Sequence, residues 1–250
     1  MRLIASVSAS HARLVEEWFL PTVPAGFEPV VVDAEQLCAS GEFRSDGWMN
    51  QVALKFVAIE EATWGHDGEI AIFSDVDIRF FEGFTPELAR ELLGDRDIAF
   101  QQGSLSGTLC AGFYIFRVGD RARSFFQRVE AYLTPDYVGD DETAMNEELR
   151  VPLLRGMGKI DSLGERPRRL AFDALTAFHA RRPRPADQLS WRLLPSYIWN
   201  PGLSRPREWR PGDPLRVPRT IHVHHANYTV GVANKLAQLA EVDRIVASRA

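Results

Sequence analysis

The sequence predicts an α/β fold with a mostly parallel central sheet flanked by helices, and three observations carry that prediction. Short apolar strands alternate with amphipathic helices through the first 130 residues, the pattern of strand–helix–strand crossovers. One of those strands ends abruptly in a pair of aspartates, Asp75 and Asp77, and ligands of open α/β sheets sit at such carboxyl ends. The composition, 45% hydrophobic and 25% charged over 250 residues, supplies one sizeable core and favours a single domain spanning 1–250 over two small ones.

Element by element, residues 2–7 read as a first strand. Leu14, Val15, Trp18 and Phe19 then stand at helical spacing within residues 12–19. Residues 29–32 are a second β-branched run, and residues 48–62 form a longer amphipathic helix carrying Val52, Phe56 and Ile59. Residues 69–74 are a short buried strand that runs into the aspartates. Thr85, Pro86 and Glu87 supply an N-cap, an N1 proline and a first-turn acid, so a helix starts there and Gly94 stops it after Leu93. Strands follow near 97–101 and 111–118. Asp120 is positioned to cap a helix through Leu133, and Asp140 or Asp141 another through Leu149.

Beyond that the periodic signal weakens. Residues 191–194 read as a short strand between arginine and proline clusters such as 181–184, and residues 201–219 hold five prolines and five arginines. That is loop composition, although Trp209 within it argues against a free linker. Residues 220–223 look like a last strand and 232–248 a final helix. The first 130 residues thus form the regular half, and 131–250 an irregular platform.

Several classes are disfavoured. A formal net charge of −5 argues against a nucleic-acid partner, which needs a positive face. No run of 18 uncharged apolar residues exists, so no transmembrane segment is expected. The N-terminus lacks a signal-peptide core, and Cys38 and Cys110 are too few and too far apart for a disulfide scaffold or a CxxC site. A reduced, cytoplasmic protein is the expectation.

The chemistry centres on residues 70–77, where a rigid strand delivers two carboxylates one residue apart. Mg²⁺ or Mn²⁺ is held by one or two carboxylates plus substrate phosphates. Aspartates after a strand also form turns and cap helices, so the pair alone leaves both readings open.

Three further segments stand in order with it. They are Cys110-Ala111-Gly112-Phe-Tyr-Ile-Phe-Arg117, then Asp140-Asp141-Glu142-Thr-Ala-Met-Asn146, then His224-His225-Ala-Asn227-Tyr-Thr-Val-Gly231 continuing to Lys235. Together with the Phe73-Ser74-Asp75-Val-Asp77 segment and a helix bearing Lys55, they span residues 50–236. In this the sequence resembles the GT-A type nucleotide-diphospho-sugar transferases, most closely glycosyltransferase family 77, with kinship to the glycogenin-like family. The resemblance implies a Rossmann-like GT-A domain, residues 1–130 binding the nucleotide sugar and 131–250 forming the acceptor and closing half. It also implies a metal-dependent enzyme moving a hexosyl or pentosyl group from a nucleotide donor, UDP-linked by family habit, to an acceptor hydroxyl with retention. The acceptor itself, whether saccharide, protein or small molecule, is left open.

Position by position, the resemblance makes Asp75, Asp77 and His225 ligands of Mn²⁺ (or Mg²⁺), with His222 and His224 as alternatives to His225. Lys55, Ser74, Asp75, Gly112, Asn227, Gly231 and Lys235 would bind the donor. Asp141 would orient the donor sugar. Glu142, where the family usually has glutamine, would act as nucleophile or electrostatic stabiliser; for both acids the bland alternative is helix capping. Cys110 and Ala111 replace the usual polar residue before Gly112. Trp191, Tyr197, Trp199 and Asn200 are candidates for an acceptor platform, with core packing as the competing reading, and the arginines of 181–219 either form a solvated face or meet an anionic acceptor.

Two other classes compete. A HAD-like phosphatase would use Asp75 as nucleophile and Asp77 as acid, yet Arg79 stands where such enzymes want threonine or valine. A binding module that keeps the pocket without turnover is the other.

Overall fold

A computed structural model describes residues 1–39, 45–104, 107–134, 136–151, 189–203 and 208–249. The arginine cluster at 181–184 lies outside the described residues.

The chain opens with β1 (Arg2–Val7), a helical run α1 (residues 9–22) and β2 (Glu28–Asp33). Next come α2 (Trp48–Thr63), β3 (Ile70–Ser74), β4 (Ile78–Phe80), α3 (Pro86–Leu93), β5 (Ile98–Gln102) and β6 (Leu109–Arg117). The rest is α4 (Asp120–Tyr132), α5 (Asp141–Glu148), β7 (Trp191–Leu193), β8 (Ile198–Trp199), β9 (Val223–His225) and α6 (Val232–Ala247). Six strands form the central sheet in the order β2-β1-β3-β6-β5-β7. β1 is parallel to both neighbours and β5 is parallel to β7, while β6 alone runs antiparallel to the strands beside it. A second, three-stranded sheet, β4-β9-β8, sits beside it.

Strand alternation explains why both faces are covered. Ile4, Phe73, Phe100, Tyr114 and Phe116 pack with residues of α2 and α4, whereas Leu3, Ala5, Ile72, Phe113 and Ile115 pack with residues of α1, α3 and α6. Aromatic rings dominate the first layer, with Phe73 stacked on Tyr114 at 5.2 Å and Phe116 edge-on to Phe126 at 5.3 Å between centroids. Each such ring contributes about 1.5–3 kcal/mol by burial. Helix α3 ends as its sequence dictates, since the Thr85 side chain accepts the Leu88 amide and Gly94 takes φ 58° at the C-terminus.

The structure also departs from the sequence reading. The first helix runs from residue 9 to 22 and carries a π turn at Val15–Phe19. Asp120 is the first residue of α4 rather than its cap, a place taken by Gly119. The last strand is shifted to Val223–His225, and the two- and three-residue strands β8 and β4 are too short to leave a periodic trace. These three short strands bring His225 to the aspartates: β4 pairs antiparallel with β9, placing Ile78 opposite His225.

Candidate metal and donor site

Asp75 and Asp77 follow β3 directly. The β3–β6 ladder places Ser74 opposite Phe113, and the Asp75 amide continues it by donating to the Gly112 carbonyl at 2.7 Å. Gly112 is therefore the cross-strand partner of the first aspartate. A Cβ at Gly112 would stand 2.3 Å from His225 Cε1 and 2.5 Å from Asp75 Oδ2, so any side chain here would displace the imidazole or the carboxylate.

The Ala226 amide donates to the Asp77 carbonyl at 2.9 Å, tying the end of β9 to the acidic pair. His225 Nε2 lies 3.2 Å from Asp77 Oδ1 and 3.8 Å from Asp75 Oδ2. Among the described residues, Asp75, Asp77 and His225 form the one group of three whose ligand atoms all lie within 4.8 Å of one another. Two carboxylates and an imidazole suit a borderline-hard divalent cation, and the bare glycine leaves space beside them. The donor set thus fits Mn²⁺ or Mg²⁺.

The other two histidines are occupied elsewhere. His224 points to the opposite face of β9, fully buried and stacked on Trp199 at 5.0 Å, where burial pushes its imidazole down to about 3. His222 Nδ1 stands 3.1 Å from the Glu82 carbonyl oxygen, and its ring meets Tyr197. His225 is the histidine the fold brings to the aspartates.

Two lysines neutralise the carboxylates. Lys235 Nζ lies 2.8 Å from Asp77 Oδ2. Burial opposes ionisation of both groups, but their mutual attraction, with His225 adding to it, holds Asp77 well below the usual carboxylate range and raises Lys235. Lys55 pairs with Asp141, sits 3.6 Å from Asp75 Oδ1 and lies over the Phe73 ring. Burial works against its charge, yet Asp141 and Asp75 outweigh that and its pKa rises.

Asp140 is the N-cap of α5, its carboxylate accepting the Thr143 amide at 2.7 Å. Asp141 and Glu142 are the first two residues of that helix, at the positive end of its dipole; Asp141 also pairs with Lys55, and Glu142 lines the cleft. Glu142 Oε1 approaches the Gly103 position closely, and burial, with Asp140 and Asp141 adding repulsion, pushes its carboxyl up to about 8. Asn146 clamps α5 to β6: its side chain accepts the Leu109 amide at 3.1 Å and donates to the Leu109 carbonyl at 3.2 Å and the Glu142 carbonyl at 2.6 Å.

These groups line one cleft of about 850 Å³ at the carboxyl ends of β1 and β3, the topological switch point of the sheet. Lys55, Asp75, Asp77, Gly112, Asp141, Glu142, His225, Asn227, Gly231 and Lys235 all reach it. Asn227 Oδ1 is buried there without a hydrogen-bond partner. Ser74 does not line it: the residue is fully buried, on the other side of the strand from Phe73, and its hydroxyl donates to the Asp75 carbonyl at 2.9 Å.

Three of the four acceptor-platform candidates are packing residues. Trp191 and Trp199 are buried in core clusters, and buried Asn200 donates to the Gln102 carbonyl at 2.6 Å. Tyr197 is half-buried against His222. In their place the cleft presents His11, Gln51, Glu208 and Tyr228, none singled out by sequence. Tyr228 has φ 54°, an unusual value for a residue other than glycine, and a serine and histidine run after β1 was the available signal for His11.

Such a cleft defines a class of α/β protein, one able to hold a cation against a phosphorylated ligand at its strand ends. Within that class the chain belongs to the nucleotide-diphospho-sugar transferase family, whose model matches residues 67–239. The fold is similar to that of a glycosyltransferase involved in the glycosylation of the major capsid of PBCV-1, at 11% identity and a TM-score of 0.53, covering 96% of this chain and 98% of that one. The galactosyltransferase LgtC, solved with donor and acceptor sugar analogues, is similar over 60% of this chain and 70% of its own, at 14% identity and a TM-score of 0.37. For the glycosyltransferase GlyE of Streptococcus pneumoniae TIGR4 the shares are 58% and 42%, at 11% identity and a TM-score of 0.42. No curated protein sequence matches the chain. The architecture is that of the GT-A glycosyltransferases, and this replaces the HAD-like alternative. No helix among the described residues is long and apolar enough to cross a membrane.

Proposed function

We propose that the protein is a metal-dependent glycosyltransferase that moves a hexosyl or pentosyl group from a nucleotide-diphospho-sugar, UDP-linked and with retention, to an acceptor hydroxyl. The observation that carries this reading is the convergence of Asp75, Asp77 and His225 from opposite ends of the family match. On the same reading residues 1–250 form one catalytic unit, the first half holding the donor and the second the acceptor. The narrower kinship to glycosyltransferase family 77 belongs to it, as does a reducing, cytoplasmic setting.

The three ligands would hold Mn²⁺ or Mg²⁺, which supplies fixed positive charge for the diphosphate leaving group. Lys235 adds a point charge one turn into α6, and Gly231, at the N-terminus of that helix with φ 86°, lets backbone amides approach the phosphates. These groups are set before the reaction, so the growing charge of the leaving nucleotide meets donors that need no reorganisation. Asn227 offers its unpaired Oδ1 to the donor.

Asp141, held by Lys55, orients the sugar. Glu142 faces the reacting carbon as nucleophile or electrostatic stabiliser, where positive charge develops on an oxocarbenium-like sugar. In either role it must be ionised.

Donor hydrolysis and transfer, measured on a panel of nucleotide sugars with Mn²⁺, test the proposal. EDTA or Asp75→Asn abolishes both while the protein stays folded. Full activity without a divalent cation contradicts the reading, and Mn²⁺-dependent UDP binding with no turnover on any donor favours the binding module instead.

A further inference from the structure

Gln101 lies in β5 and is fully buried. Its side-chain nitrogen donates to two backbone carbonyls, Ile198 and Trp199, each at 3.3 Å. Carbonyls only accept, so these two bonds fix which end of the amide is which. The oxygen must face the other way, where it stands 2.9 Å from His225 Nδ1.

That oxygen also only accepts, and the contact therefore requires a proton on Nδ1. A neutral imidazole carries one ring proton. Without a cation, Nε2–H donates toward the Asp77 carboxylate; with a cation in place of that proton, the neutral ring keeps Nδ1–H and presents the Nε2 lone pair, and Nε2 is the atom that faces Asp77 and Asp75. The other neighbour of Nδ1, Cys110 Sγ at 3.6 Å, is a weak acceptor and does not compete.

We propose that Gln101 is the positioning residue of the cation site, holding His225 in its Nδ1–H tautomer and turning Nε2 toward the two aspartates. The inference rests on Asp75, Asp77 and His225 being the cation ligands. It adds a cause for their alignment, because Gln101 joins β5 of the central sheet to β8 and β9 of the small sheet. One amide thus sets both the ring's protonation site and the seating of the strand that carries it. Partners of this kind orient metal-binding histidines and raise affinity for the ion.

Two measurements on the full chain test this. Mn²⁺ titration followed by electron paramagnetic resonance compares wild type with Gln101→Met, which keeps the side chain's length and removes its oxygen. Affinity is expected to fall about 10- to 100-fold. Because the variant also leaves two carbonyls unpaired, the second measurement needs no substitution. Long-range ¹H–¹⁵N correlation of ¹⁵N-histidine wild type, with Zn²⁺ as a diamagnetic probe, is expected to show the His225 proton on Nδ1 and the ion on Nε2. Wild type that binds Mn²⁺ while showing the opposite tautomer, or a folded Gln101→Met protein with wild-type affinity, overturns the inference and leaves the cation site standing. Wild type that takes up no Mn²⁺ overturns the cation site and this inference together.

Discussion

Gly112 shows how a single residue serves both the sheet and the site. It pairs with Asp75 across the ladder while leaving room for His225 on the same side. Gly112→Ala would press a methyl group against the His225 ring, which Gln101 holds, and against the Asp75 carboxylate, which would have to turn into the cleft to make room. Overpacking of this kind costs about 1–3 kcal/mol, so urea denaturation should show a loss of that size, accompanied by weaker Mn²⁺ binding in calorimetry. Glu142 makes a pH prediction. Its carboxyl sits near 8 in the folded protein against about 4.3 in an unfolded chain, so the native state binds the extra proton between those values. Stability therefore falls as pH rises through that window, whereas activity that needs the carboxylate rises toward pH 8. Glu142→Gln should flatten the stability profile and remove the rising limb of kcat/KM. Profiles unchanged by the substitution would exclude the role given to Glu142.

At the level of elements, most of the sequence reading held where periodicity and caps act together. Residues 2–7 were read as a strand and form one, and Thr85, Pro86 and Gly94 bound α3 as their chemistry requires. What escaped was structure fixed by tertiary pairing. β4, β8 and β9 have two or three residues each, too few for an alternation to register, and one of the two strands that hold β9, β4, lies more than a hundred residues away. Gln101 escaped for a related reason: it closes an apolar strand, and only the fold reveals which carbonyls and which histidine surround it. The Asp-Glu-x-x-x-Asn segment illustrates a residue whose motif position has a structural cause. Asn146 bonds both backbone groups of Leu109 and so sets where α5, and with it Asp141 and Glu142, meets β6. Asn146→Ala is expected to cost about 1–3 kcal/mol through the unpaired Leu109 groups, read by thermal or urea unfolding, and to lower kcat as the two acids drift.

Across the whole molecule, the cleft joins residues from both ends of the chain. β1 and β3 supply its floor, α5 one wall, and β9 with the start of α6 the other. The residues proposed as cation and diphosphate ligands were legible because they fall in four ordered segments. The proposed acceptor platform was not: Trp191 and Trp199, chosen because aromatic faces stack on sugars, turn inward to the core, while Glu208 and Tyr228 reach the cleft. Without a cation, Lys235 and Lys55 carry the charge balance of the buried acids. Lys235→Ala should therefore leave buried Asp77 with His225 beside it but without its lysine, destabilising the metal-free protein by up to about 3–5 kcal/mol, and added Mn²⁺ should restore much of that loss in thermal unfolding. The most direct test of the whole account is anomalous diffraction from crystals grown with Mn²⁺ and UDP. It should show one manganese peak about 2 Å from an oxygen of Asp75, an oxygen of Asp77 and Nε2 of His225, with the diphosphate completing the shell. A manganese peak lying elsewhere, or a diphosphate seated in the cleft with no ion between these three side chains, would contradict it.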